Sequence, residues 1–132
     1  MTIVPAYAAL LALLFVALSL RVIAGRIKSG IGIGFAGSDV LQRRMRVHAN
    51  FAEYTPFALI LFSFVELQHW PTWLVHSLCT ALLLGRVLHA SGVSRQKEPR
   101  FFRQVGMALT FTSTIVAALT LLSGVVLTYQ PR

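Results

Sequence analysis

Charge is scarce in this chain, and negative charge scarcer still. Only 12% of its 132 residues are Asp, Glu, Lys or Arg, with 4 acidic against 12 basic and a net charge of +8. A soluble domain of this size has no way to cover a composition that is 56% hydrophobic with a mean hydropathy of +0.72. The single cysteine, Cys79, excludes an internal disulfide and reads as a small core residue in mid-span. No alternating polar and apolar pattern appears, which excludes a membrane barrel, and no internal repeat or low-complexity segment stands out. Gly32, Gly34 and Gly37 fit the dinucleotide glycine spacing, but no strand-helix-strand unit surrounds them, so they read as a flexible loop. The basic residues flank apolar spans and form no nucleic-acid-binding module, so nucleic acid is not a partner.

What is present is apolar length. Residues 3–25, 47–67, 73–89 and 104–129 form four stretches, each near the roughly 20 residues that cross a bilayer as helix. Backbone groups in lipid must pair within their own segment, so the expected fold is all-α: one polytopic membrane domain over residues 1–132, a four-transmembrane-helix bundle. Its helices are expected at about 3–25, 39–67, 73–90 and 103–129. The first stretch exceeds the roughly 7 to 15 residues of a secretory signal core and has no basic residue before Arg21, so it reads as a retained helix.

Charge placement predicts orientation. Arg21, Arg26, Lys28, Arg43, Arg44 and Arg46 surround the first connection, and Arg86, Arg95, Lys97, Arg100 and Arg103 the third. The second, residues 68–72, has no Lys or Arg, and the C-terminal end has only Arg132. By the positive-inside tendency the first and third connections are cytoplasmic and both termini lie on the other side. The same arginines suit anionic lipid headgroups. His69, Trp70, Trp73 and His76 read as an interfacial belt, with no metal site assigned. In the fourth stretch Gly106, Ala108, Thr110, Thr112, Ser113, Thr114, Ala117, Thr120, Ser123 and Gly124 read as helix-packing surface.

The second stretch carries polar groups where a bilayer penalises them. Asp39 with Gln42 resembles a capping box and starts a helix that runs to Leu67. At roughly 1.5 Å per residue that helix is about 43 Å long, so its first turns lie beyond a core of roughly 30 Å. Arg46, Asn50 and Glu53 fall at i, i+4 and i+7 on one face, with His48 turned away. Glu53 needs a partner at its depth, and Arg86, with His89 one turn on, is the natural candidate from the third helix. Pro56 removes a backbone donor just after Glu53. A structural polar network and a pocket for a small anionic, hydrogen-bonding ligand both fit this spacing.

Arg46-x-His48-x-Asn50-x-x-Glu53-Tyr54-x-Pro56, followed by an apolar run and then Gly85-Arg86-Val87-x-His89, resembles the MAPEG family, membrane-associated proteins in eicosanoid and glutathione metabolism. Short bacterial members are the most similar. The resemblance implies a homotrimer in a bacterial inner membrane, with glutathione as co-substrate bound between subunits at the cytoplasmic side. It implies ligand contacts from Arg46, Asn50 and Glu53, with Glu53 suiting the α-amino group and Arg46 the carboxylates. Tyr54, His48, Arg26, Arg86 and His89 match further pocket positions, and Arg103, with Arg100 as the alternative, matches the arginine that stabilises the thiolate. Where many family enzymes carry a tyrosine four residues after His89, this chain has Val93.

The implied activity is that of a glutathione-dependent transferase or peroxidase, joining a thiol to a lipophilic electrophile or reducing a lipid hydroperoxide. A non-catalytic protein that binds a thiol, lipid or partner in the same pocket is the alternative. A proton or ion pathway through Glu53, Arg86 and His89 is a third reading.

Overall fold

A computed structural model describes residues 1–93 and 100–128, with the backbone alone at Val93, Leu127 and Thr128. Arg95, Lys97, Tyr129 and Arg132 and the side chain of Val93, all used in reading the sequence, lie outside the described residues. Four helices follow in order: α1 (Ile3–Ser29), α2 (Asp39–Leu67), α3 (Thr72–Val93) and α4 (Arg100–Thr128). The chain is all-α among its described residues, in line with its hydropathy.

Helix ends follow local chemistry. α1 runs a turn beyond its apolar stretch, through Arg26 and Lys28, and stops at Gly30, whose φ of +67° is left-handed and whose N–H reaches the carbonyls of Arg26 and Ile27. At its start, Thr2 supplies no side-chain cap and the first turn holds no acidic residue. The carboxylate of Glu66, in the last turn of α2, takes that role: it accepts the backbone N–H groups of Thr2, Ile3 and Val4, the last two at 2.8 Å. Orphan donors at the positive end of one helix thus meet a charge supplied by another. α2 is capped by Ser38, whose hydroxyl accepts from the N–H of Leu41. This corrects the capping box expected at Asp39, which instead occupies the first helical turn.

The Glu66 contact also fixes direction. It sets the start of α1 beside the end of α2, and the Tyr7 hydroxyl lies 3.3 Å from Nδ1 of His76 and 2.9 Å from Thr80 Oγ1, which sets the start of α3 at the same end. α2 must therefore return along the bundle between them. By length and composition α1, α3 and α4 qualify as membrane spans and α2 does not, because Asn50, Glu53, Glu66 and the preceding arginines dilute its apolar half. Connectivity, not mean hydropathy, carries α2 across.

α2 and α3 form the centre, with α1 and α4 on either side and not in contact with each other among the described residues. Phe62, Val65, Val75, Cys79 and Leu82 are buried in this centre. α1 contributes only the narrow stripe Val4, Leu11 and Leu18, while Leu13, Val16, Leu20 and Ile27 are exposed, as are Ile115, Leu119 and Val126 of α4. Apolar surface of this extent suits lipid or a second subunit.

The tightest packing is between α3 and α4. A methyl group on Gly106 would sit 2.6 Å from the carbonyl oxygen of Gly85 and 2.7 Å from the nitrogen of His89, and one on Gly85 would sit 2.8 Å from the carbonyl oxygen of Gly106. Gly106, Thr110, Ser113 and Ala117, spaced by four, three and four, are the buried stripe of α4. The expected packing surface is thus narrower: Ala108, Thr112 and Ser123 are exposed. Gly106→Ala is expected to destabilise the bundle by about 1–3 kcal/mol despite alanine's higher helix propensity. Gly124→Ala, where the new methyl would press on the end of the Gln68 side chain at 2.9 Å and touch the Trp70 ring at an ordinary 3.6 Å, with no backbone in the way, is expected to be neutral or mildly stabilising. Thermal denaturation in detergent compares the two, and equal melting temperatures would contradict the seam.

Candidate functional site

At the basic end of the bundle α2, α3 and α4 enclose an open cleft of about 470 Å³. From α2 it is lined by Asp39, Gln42, Arg43, Arg46, Asn50 and Glu53, from α3 by His89, and from α4 by Arg103 and Met107. The α2 residues are spaced by three, one, three, four and three, so the face recognised as Arg46, Asn50 and Glu53 continues two turns toward the helix start. Asp39, Gln42, Arg43 and Met107 are the lining residues that sequence reasoning missed. For the first three the signal was present in the same periodicity; for Met107 none was.

Three arginines and two carboxylates share this cleft, so its lining is zwitterionic with an excess of positive charge. Arg103 reaches it from the first turn of α4, whereas Arg100 is exposed and does not line it. His89 is 7% exposed, at the point where α3 and α4 nearly touch.

Behind the cleft wall lies Arg86, only 1% exposed and the largest fully buried side chain of the described residues. Its Nη1 donates to Asn50 Oδ1 at 2.7 Å, and its Nη2 donates to Thr110 Oγ1 at 2.6 Å and to Met107 Sδ at 3.4 Å. The Tyr54 ring lies 5.9 Å from the guanidinium carbon and meets Phe111 edge-on at 5.4 Å. All the hydrogen-bond acceptors of Arg86 are neutral, and its Nε has no partner among the described residues. The pairing of Glu53 with Arg86 expected within the chain is therefore not formed. Glu53 is exposed on the cleft side, and Asn50, one turn earlier, takes the guanidinium instead.

Two other sequence-predicted residues lie away from the cleft. His48 stacks on Phe15 at 4.8 Å and its Nε2 lies 3.0 Å from Ser19 Oγ, so it faces α1. Arg26 donates to the carbonyls of Gly32 at 2.9 Å and Gly34 at 3.2 Å and ties down the loop between α1 and α2, which the sequence had suggested was flexible. Tyr54 backs Arg86 and does not line the cleft.

Residues 4–123 match the MAPEG family model. The chain belongs to the MAPEG family. Inner membrane protein YecN of Escherichia coli (strain K12) is similar to it, 35% identical over 115 residues that cover 86% of this chain and 85% of that protein. The protein of the same name from Escherichia coli O6:H1 shows the same identity and coverage. MAPEG membership accords with a four-helix membrane bundle in which α2 crosses in spite of its polar face. Of the positions taken from the family resemblance, Arg46, Asn50, Glu53, His89 and Arg103 meet in one cleft, Arg86 and Tyr54 stand behind it, and Arg26 and His48 sit on the α1 side.

Arg86→Leu would leave Asn50 and Thr110 without their buried donor and is expected to cost about 1–3 kcal/mol of stability or more. Arg46→Ala, at an exposed position, is expected to stay within about 0.5 kcal/mol. Denaturation midpoints in detergent read the difference, and an Arg86→Leu protein as stable as the parent would show that the buried guanidinium holds nothing together.

Proposed function

We propose that this protein is a glutathione-dependent membrane transferase or peroxidase acting on lipophilic substrates. The observation that carries the reading is the meeting, in one cleft of a MAPEG chain, of Glu53 and Asp39 with Arg43, Arg46 and Arg103. Glutathione carries one ammonium and two carboxylates, and this lining offers partners for each. Glu53 suits the ammonium and Arg46 a carboxylate, and Arg103, which lines the same cleft, is the cation this reading assigns to the thiolate. A free thiol has a pKa near roughly 8.5, and an adjacent cation raises the fraction present as the nucleophile.

The chemistry closes without a metal. With an aryl halide the sulfur forms a bond to carbon, the carbon–halogen bond breaks, and halide leaves with the thiol proton passing to solvent. With a lipid hydroperoxide two thiols are oxidised to a disulfide while the O–O bond is reduced to an alcohol and water. A bilayer-dissolved electrophile approaches between helices, and the tripeptide enters from the aqueous side at the basic end. That side is the cytosol in this reading, with both termini opposite and the protein in an inner membrane, as the name of its Escherichia coli relative says of that protein. A homotrimer belongs to the same reading. Arg26 and His48 then reach a cleft only from a neighbouring subunit, since within one chain they face α1 and its loop.

Turnover of a generic aryl halide or a lipid hydroperoxide in detergent, dependent on glutathione, is expected to fall by about 100-fold in Arg103→Ala, the scale on which a transition-state charge partner acts. Neither activity from a fully assembled protein would refute the catalytic reading. A glutathione-induced rise in melting temperature without turnover would leave a binding protein that uses the same cleft.

A further inference from the structure

Asn50 is a cleft residue whose polarity is dictated from behind. A guanidinium only donates, so the 2.7 Å contact from Arg86 Nη1 assigns the near end of the Asn50 amide as Oδ1. The Nδ2 end is then the part of the amide left for the cleft, which Asn50 lines. Arg86 is itself held in place by Thr110, which is wholly buried: Oγ1 accepts from Nη2 at 2.6 Å and donates to the carbonyl of Gly106 at 2.9 Å. With its one proton committed to that carbonyl, the hydroxyl presents a lone pair to Arg86. Each link therefore has a fixed donor and acceptor: Arg86 donates to Asn50 on one side and to Thr110 on the other, and Thr110 donates on to the Gly106 carbonyl.

We propose that Thr110 and Arg86 are positioning residues that make Asn50 a fixed hydrogen-bond donor to the cleft, selecting ligands that place a carbonyl or carboxylate oxygen at that point. This rests on the glutathione reading and refines it: the relay recognises the peptide or carboxylate oxygens of the tripeptide, not its ammonium group. A thiol without such oxygens gains nothing from it.

Calorimetric titration of the detergent-solubilised protein with glutathione and with 2-mercaptoethanol, which lacks carbonyl oxygen, tests the relay. Asn50→Asp keeps the shape and the contact with Arg86 but replaces the donor by an acceptor. It is expected to weaken glutathione at least tenfold with the melting temperature held or raised. Thr110→Val is expected to weaken glutathione severalfold and Thr110→Ser to restore it, with 2-mercaptoethanol indifferent to all three. Glutathione binding by the parent protein that is unchanged in Asn50→Asp would overturn the relay and leave the glutathione reading standing. No glutathione binding by the parent would remove that reading and this refinement with it. Should Thr110→Val fail to assemble, Asn50→Asp decides alone.

Discussion

A guanidinium buried inside a helical bundle with only neutral acceptors is the constraint around which the basic half of this protein is organised. An unpaired charge in such a place is costly, and Arg86 of α3 is tolerated because two other helices bring it hydrogen-bond partners: Asn50 from α2, and Thr110 and Met107 from α4. Its donors reach α4 because α4 is close, and α4 is close because Gly85 precedes Arg86 directly and faces Gly106. A side chain at either glycine would push the helices apart where Thr110 must meet the guanidinium. The small residues of the seam and the buried charge are therefore one device.

That device separates two kinds of polar group on α2. Asn50 is drawn toward the bundle interior by Arg86, whereas Arg46 and Glu53 on the same helical face are left exposed to the cleft. The cleft therefore keeps charged groups that no internal salt bridge to Arg86 neutralises. Had Glu53 paired with Arg86, the ion pair would have satisfied itself and left the cleft with less to offer a zwitterionic ligand.

The sequence made the fold class legible because lipid permits so few solutions: four apolar stretches with helical length leave little else. It made one face of the site legible because i, i+4 and i+7 depend only on helical geometry. The same geometry turned His48 away, and the structure packs it on Phe15. What escaped were contacts between helices. Whether Arg86 meets Glu53 or Asn50 depends on axial offset between α2 and α3, a matter of about one turn, and periodicity within a helix carries no information about offset. The cap at Ser38 escaped for a related reason, since Ser38 and Asp39 are both good caps and the chain's entry angle chooses between them. Arg26 is the plainest case: nothing local distinguishes a ligand-binding arginine from one that ties down the carbonyls of the following loop.

The two ends of the bundle solve the problem of polar groups near lipid in opposite ways. At the sparsely charged end Glu66 is consumed internally, its carboxylate closing the first backbone donors of α1, so charge there serves assembly. At the basic end the carboxylates of Asp39 and Glu53 face a cleft together with arginines from α2 and α4. A carboxylate that caps a helix is complete without a ligand, because the donors it satisfies belong to the fold. A cleft lined by both signs of charge differs in kind, because its charged groups border an open space that water or a solute can enter. The same residue type therefore serves the fold at one end, where it closes a helix start, and borders open space beside arginines at the other.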